Sequence, residues 1–196
     1  METDYARGSL QGLRSIGYGK NMTICDDIFY YEDSIRHKDY EIAFIFADYY
    51  TLLKGWITQK YPKNVFFTQE EFELMRNNIL THNHTGDYTH SFSLKDVLKA
   101  AEAELKEVRV VGGRYTYSMV PGKQGWPACD RIEEKYEELM YSFDFEYDSR
   151  IRFAEIAEAE QISALDYHRI YNHFIWARLA EEMDLKYSRK TWPQYN

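Results

Sequence analysis

The chain has 196 residues, of which 44% are apolar and 17% aromatic, so it is long and apolar enough to fold around a hydrophobic core. Its formal net charge of -8, with no basic stripe, argues against a nucleic-acid partner. No apolar stretch approaches the length of a membrane span, the first residues lack a signal-peptide pattern, and Cys25 and Cys129 lie far apart. We therefore expect a cytoplasmic protein that binds no membrane.

Glycine, proline and composition divide the chain into three parts. Residues 1–22 hold four of the ten glycines with little periodicity, and we predict an N-terminal arm. The segment 121–127 has two prolines and two glycines and marks a boundary. We predict an α+β core over 23–120, built as a mixed β-sheet flanked by helices. A helical extension packed on this core is predicted over 121–196.

Local patterns place the elements of the core. Segments rich in β-branched and aromatic residues predict strands, and a Gly112-Gly113 pair predicts a hairpin between the last two. A capping box at Thr68–Glu71 predicts a short helix to about Met75. Apolar residues at helical spacing predict a helix from Ser93 to about Leu105. The predicted strands are 40–46, 51–57, 64–67, 78–82, 107–111 and 114–120.

The C-terminal extension reads as helices. Residues 128 to about 185 contain no proline or glycine, which favours helices over 129–142 and 149–183, the second broken near Ser163. Apolar residues recur there at helical intervals and favour packing on the core, while the acidic residues opposite them suit solvent. An interaction surface on this extension is the alternative.

The segment 77–96 carries the chemistry. His82 and His84 are two residues apart at the end of a predicted strand, so their side chains point to the same face. Asp96 follows in the first turn of the next predicted helix. Two imidazoles and a carboxylate with one open position are a ligand set of catalytic zinc. We therefore predict a zinc site formed by His82, His84 and Asp96, although an exposed His-x-His pair also arises by chance.

Two further residues complete a hydrolytic site. Glu41 opens the first predicted strand and is the candidate general base, because metal-activated water needs a carboxylate outside the ligand set to move its proton. Ser93 and Asp96 form a Ser-x-x-Asp capping box, which accounts for both residues without catalysis. A capping serine can still present its hydroxyl to an oxyanion. His90 is either an ordinary loop residue or an additional ligand.

The order Glu41, His82-Asn83-His84 and Ser93-Leu94-Lys95-Asp96 resembles the JAMM (JAB/MPN) metalloprotease pattern, with Thr85 where that pattern has proline. The resemblance implies a JAB/MPN-like mixed sheet and hydrolysis of a peptide or isopeptide bond in a protein or peptide substrate. It also implies zinc held by the two histidines and the aspartate, with Glu41 as general acid/base and Ser93 as oxyanion donor.

The stretch from Glu41 to Met119, and more loosely the rest of the chain, is similar to a domain attached to phage head-morphogenesis and mobile-element proteins. The segments that carry the similarity are THNH, SFSLKD, EVRVVGGRYTYSM, PGKQGW and LAEEMDLKYSRK. This similarity implies a phage or mobile-element origin, the cytoplasm of a bacterial host as location, and a host or phage protein as partner. The class-distinct alternative is a non-catalytic interaction or assembly domain, or an inhibitor of a host protein.

Other hydrolase classes lack their signatures. The triplet His82-Asn83-His84 is not the dispersed nuclease motif of the same letters. An amidohydrolase barrel of about 250 residues exceeds this chain. The further ligands of the polymerase-and-histidinol-phosphatase type have no match after Val110. Gly-x-Ser-x-Gly and a phosphate-binding glycine loop are also absent from the sequence.

Overall fold

A computed structural model describes residues 27–85 and 91–192, which form an α+β fold with one mixed six-stranded sheet and six α-helices. The sheet has the strand order β2-β1-β3-β4-β5-β6. Only β3 and β4 are parallel, and α3 makes the crossover that a parallel pair requires. The strands are β1 Ala43–Asp48, β2 Thr51–Ile57, β3 Ile79–Asn83, β4 Glu107–Val111, β5 Tyr115–Val120 and β6 Lys186–Thr191. The helices are α1 Ile28–Ile35, α2 Gln69–Met75, α3 Leu94–Glu102, α4 Cys129–Met140, α5 Phe143–Glu160 and α6 Tyr167–Glu182.

Capping side chains fix where several helices begin. Thr68 and Ser93 both form complete capping boxes, at α2 and α3. Each accepts a hydrogen bond from the third helical residue, whose carboxylate in turn accepts one from the cap backbone. Ser142 caps α5 by accepting from the backbone of Phe145, so this helix begins earlier than the predicted 149. The predicted break near Ser163 is confirmed, since α5 ends at Glu160 and a 3₁₀ turn follows.

The predicted strand at 64–67 is wrong. Asn64 makes only an isolated bridge with Tyr61. The reason is that the Gln59 side chain satisfies the backbone hydrogen-bonding groups of Phe66. Its amide nitrogen donates to the Phe66 carbonyl at 2.9 Å, and its amide oxygen accepts from the Phe66 N–H at 3.0 Å. A side chain here replaces a neighbouring strand as hydrogen-bond partner.

No pattern in the sequence predicts the strand β6. This strand pairs antiparallel with β5 over its whole length, from Tyr115 opposite Thr191 to Val120 opposite Lys186. The chain therefore returns to the sheet after α6, and a segment from beyond residue 121 forms one sheet edge. The predicted arm over 1–22 lies outside the described residues.

The two faces of the sheet have different coverings. On one face α3, α4 and α6 enclose the larger apolar core, whose biggest fully buried side chain is Trp176. On the other face α1 covers a smaller core and a buried ionic cluster. There Arg109 donates to Glu32 at 2.6 and 3.0 Å and to Glu107 at 2.8 Å. Because strand residues alternate between faces, His82 points into the first face and Thr81, which donates to Glu32, into the second.

Among the described residues, no helix combines the length and apolar character needed to cross a membrane.

Candidate metal centre

The described structure brings His82, His84 and Asp96 together where β3 ends and α3 begins. Both imidazoles lie on the face of β3 that α3 covers, and Asp96 is the third residue of that helix. His82 is 6% exposed, and the side chains of His84 and Asp96 are 14% and 17% exposed. One ligand atom from each lies within 4.8 Å of the other two, so this group can hold a metal ion.

The distances within the cluster suit a tetrahedral ion. Nε2 of His82 lies 3.3 Å from Oδ1 of Asp96, and Nε2 of His84 lies 3.2 Å from Oδ2. The two Nε2 atoms are 3.2 Å apart. With bonds of about 2.0 to 2.1 Å in tetrahedral geometry, two ligand atoms of zinc stand about 3.3 to 3.4 Å apart. Each imidazole is at this spacing from the other and from one oxygen of Asp96, so the three side chains can hold one small cation.

The facing ring nitrogens also bear on protonation. If both rings carried their proton on Nε2, two N–H groups would oppose each other at 3.2 Å. A bound cation would need the Nε2 lone pair of both rings, which would place the ring protons on Nδ1. A hydrogen bond with the backbone of Ser91 further orients the His84 ring. Nδ1 of His82 is buried and has no hydrogen-bond partner among the described residues.

Ser93 orients the carboxylate. Its backbone N–H donates to Oδ2 of Asp96 at 2.7 Å, and its hydroxyl donates to the same oxygen at 2.8 Å. The capping box thus fixes the rotamer of Asp96 as well as the start of α3. In this arrangement the Ser93 hydroxyl is the partner of a candidate ligand, and its role as oxyanion donor stays a prediction.

Asn83 positions Glu41 beside the cluster. The Asn83 side chain accepts from the Ile42 N–H at 2.7 Å and donates to the Tyr40 carbonyl at 3.0 Å. These two bonds hold the segment before β1 against β3, where Ala43 pairs with His82. Glu41 is consequently 8% exposed and lines the same cavity as the two histidines and Asp96.

The electrostatics of the cluster are strongly coupled. Burial would raise the pKa of Asp96, but the charges and hydrogen bonds of the two imidazoles hold this pKa well below its usual range. Burial lowers the pKa of His84, yet its hydrogen bond and charge interaction with Asp96 outweigh this and raise it. Burial raises the pKa of Glu41, and the nearby imidazoles only partly oppose that shift.

A cavity of about 620 Å³ opens onto the cluster, a volume that suits part of a peptide. Val65, Phe67, Leu80 and Leu94 give it apolar walls, and Glu41 lines it beside the three candidate ligands. His90, the possible additional ligand, lies outside the described residues.

Two features of this site were not predicted from the sequence. Asn83 is one of them: the sequence shows only a spacer between two histidines, whereas the structure shows a fully buried amide with both of its polar atoms hydrogen-bonded. A second is a hydrogen-bonded chain behind His84, in which the Ser91 hydroxyl lies 2.8 Å from the Tyr187 hydroxyl, itself 2.9 Å from Nδ1 of His173. This chain depends on β6 and α6, which are remote in sequence.

Comparisons with protein families, with curated proteins and with solved structures give no match for this chain.

Proposed function

We propose that this chain is a zinc-dependent hydrolase of the JAMM-like class that cleaves a peptide or isopeptide bond. The observation that carries the proposal is the convergence of His82, His84 and Asp96 at zinc-ligand spacing, with Glu41 lining the same cavity. Three protein ligands leave a tetrahedral ion one open position, which is the arrangement of catalytic zinc sites.

Each residue has a role in such a reaction. Zinc, when bound, is a Lewis acid that makes water nucleophilic at neutral pH. Glu41 accepts the proton of the attacking water and returns it to the leaving amine. Ser93 fixes Asp96 through its backbone N–H and donates its hydroxyl to the oxyanion that develops at the scissile carbonyl.

The topology supports a JAB/MPN-like core. The JAMM pattern has three parts, which meet here at one cavity. They are a glutamate before one strand, a His-x-His at the end of the antiparallel neighbouring strand, and a Ser-x-x-Asp helix start in the crossover that follows. An enzyme of this class would act on a protein or peptide substrate. The similarity over Glu41–Met119 further supports a phage or mobile-element origin, a host or phage protein as partner, and the bacterial cytoplasm as location.

Metal analysis of the purified full chain tests the proposal. We expect about one equivalent of zinc after loading and desalting. His82→Ala and Asp96→Ala each remove a ligand and should lose the metal, whereas His168→Ala, a matched change at an exposed histidine on α6, should retain it. A wild-type protein that holds no zinc, or equal zinc in all four proteins, contradicts the proposal.

A second candidate is a non-catalytic interaction or assembly domain. Tyr141, Phe143 and Tyr147 lie together around the start of α5, and they are 84%, 79% and 61% exposed. Exposed aromatic side chains in one region are typical of interaction surfaces. This candidate predicts a protein that holds no zinc and whose partner binding is unchanged by His82→Ala.

A further inference from the structure

The cavity at the metal centre carries positive charge in an acidic protein. The chain as a whole has a net charge of -8. Of the cavity-lining residues that the structure describes, three are lysines (Lys63, Lys95 and Lys99) and two are carboxylates (Glu41 and Asp96). A divalent cation at the three candidate ligands would add further positive charge. The site therefore attracts anions although the molecule as a whole repels them.

Lys99 is the lysine built into this cavity. It lies on α3 three residues after Asp96, so both side chains leave the helix on the same face. Its Nζ stands 4.6 Å from the centre of the Phe67 ring, which fixes the ammonium group against the apolar wall. Lys99 is half-buried, whereas Lys63 and Lys95 are exposed at the rim.

The ammonium group of Lys99 is available to a ligand. It forms no salt bridge with any residue in the described ranges 27–85 and 91–192; other lysines do, as Lys135 does with Glu138 and Glu182 at 2.9 and 2.7 Å. The carboxylates of Asp96, Glu41 and Glu102 act on its charge from a distance, but none of them forms a salt bridge with it. This half-buried cation beside the proposed centre can therefore pair directly with an anion that enters the cavity.

We infer that this site takes peptide substrates that carry a carboxylate close to the scissile bond, and that Lys99 binds this carboxylate. The inference rests on the proposed hydrolase function and specifies its substrate class. In peptides such a carboxylate is either an acidic side chain before the bond or the C-terminal carboxylate after it. Both place the same chemical group beside the metal centre, and matched ligands separate the two.

Hydroxamates test the inference without turnover, because they bind zinc directly. For the zinc-loaded full chain, affinities are measured by calorimetry for two pairs. The first pair is acetyl-glutamyl hydroxamate and acetyl-glutaminyl hydroxamate, which differ in a side-chain charge. The second pair is succinyl-glycine and succinyl-glycinamide, each with the hydroxamate on the free succinyl end, which differ in the charge of the C-terminal group. Acetohydroxamate reports on the metal centre alone.

In the wild type we expect the charged member of one pair to bind about tenfold more tightly than its neutral partner. The responding pair identifies which carboxylate is read. Lys99→Met keeps the apolar stem against Phe67 but removes the charge, and the ratio should fall to about one. Lys99→Arg should keep the preference, as should Lys106→Met, a control at an exposed lysine between α3 and β4 that does not line this cavity.

The outcomes distinguish the inference from the function beneath it. If acetohydroxamate binds but neither pair shows a preference, or if the preference survives in Lys99→Met, the carboxylate inference is wrong and the hydrolase proposal stands. If acetohydroxamate does not bind the zinc-treated wild type, the metal centre is wrong and the inference goes with it.

Discussion

At the scale of single residues, the proposed mechanism assigns metal ligation and proton transfer to different side chains. The candidate ligand atoms belong to His82, His84 and Asp96, whereas Glu41 comes from the segment before β1 and lines the cavity beside them. Asn83 maintains that separation, because its amide holds the backbone on both sides of Glu41 to β3. A carboxylate held near a metal but outside its ligand set is the usual place for a general base.

Glu41→Gln tests this division of roles. The amide is nearly isosteric and cannot accept the proton of water, so peptide hydrolysis should fall by about 10² to 10⁴-fold while zinc content stays at the wild-type level. Turnover and zinc content are measured on the same preparations. Glu104→Gln, at an exposed carboxylate after α3, is the control and should change neither quantity. Unchanged turnover in Glu41→Gln would remove Glu41 from its role, and lost zinc would make it a ligand.

At the scale of secondary-structure elements, two helices begin with the same capping motif, but only one of the two capping residues contacts a candidate metal ligand. Thr68 caps α2 and Ser93 caps α3, each through a complete capping box. The Thr68 box pairs with Glu71, which also lies 3.4 Å from Lys54 and away from the candidate centre. The Ser93 box pairs with Asp96, whose other contacts are the two imidazoles. The chain thus contains its own control for the second role of Ser93.

Ser93→Ala and Thr68→Ala should each lower the free energy of unfolding by about 1 kcal/mol, the usual cost of losing a helix cap. Only Ser93→Ala should also weaken zinc binding, by about 10 to 100-fold, because it removes a hydrogen bond that orients a ligand. Urea unfolding of the metal-free proteins gives the first quantity, and competition with a zinc chelator gives the second. Equal zinc affinity in both variants would reduce Ser93 to a helix cap.

The same elements show what local sequence determines. Capping boxes, the Gly112-Gly113 hairpin and the His-x-His spacing act within a few residues, so α2, α3, the β4–β5 pair and the three-residue cluster were all predictable. The strand β6 forms only because β5 offers an open edge, which no local pattern encodes. The predicted strand at 64–67 does not form because the Gln59 side chain hydrogen-bonds to the Phe66 backbone. Strand propensity does not take such a side-chain partner into account.

At the scale of the whole molecule, the two faces of the sheet contain different polar clusters. The face under α1 contains the ionic cluster of Glu32, Arg109 and Glu107, whose buried charges are paired within the protein. The opposite face contains the candidate centre, supported from behind by β6 and α6 through Tyr187 and His173. The β6 strand thus belongs to the same hydrogen-bonded support as the site, so global stability and site geometry are linked.

His173 makes this link dependent on pH. Burial, followed by the nearby charge of Arg189, lowers its pKa from 6.5 to about 3 in the folded protein. Between those values the unfolded chain binds a proton at this residue that the folded chain does not. The stability contribution of neutral His173 is therefore complete above pH 6.5 and falls as the pH drops towards 3, by up to about 1.4 kcal/mol per pH unit.

Urea unfolding at pH 7.5 and pH 5.0, with chelator present to exclude metal, measures this effect. His173→Asn keeps a polar group near the Tyr187 hydroxyl and removes the titrating ring. The wild type should lose about 2 kcal/mol more than His173→Asn between these pH values, since one proton is taken up over about 1.5 pH units. His168→Asn, at an exposed histidine on the same helix, should behave as wild type. All three proteins share Asp96 and the two candidate ligand histidines, so any effect of these groups on the pH dependence of stability cancels in the comparison. An equal loss of stability in the wild type and His173→Asn would contradict the prediction, because it would show that His173 takes up its proton in the folded state.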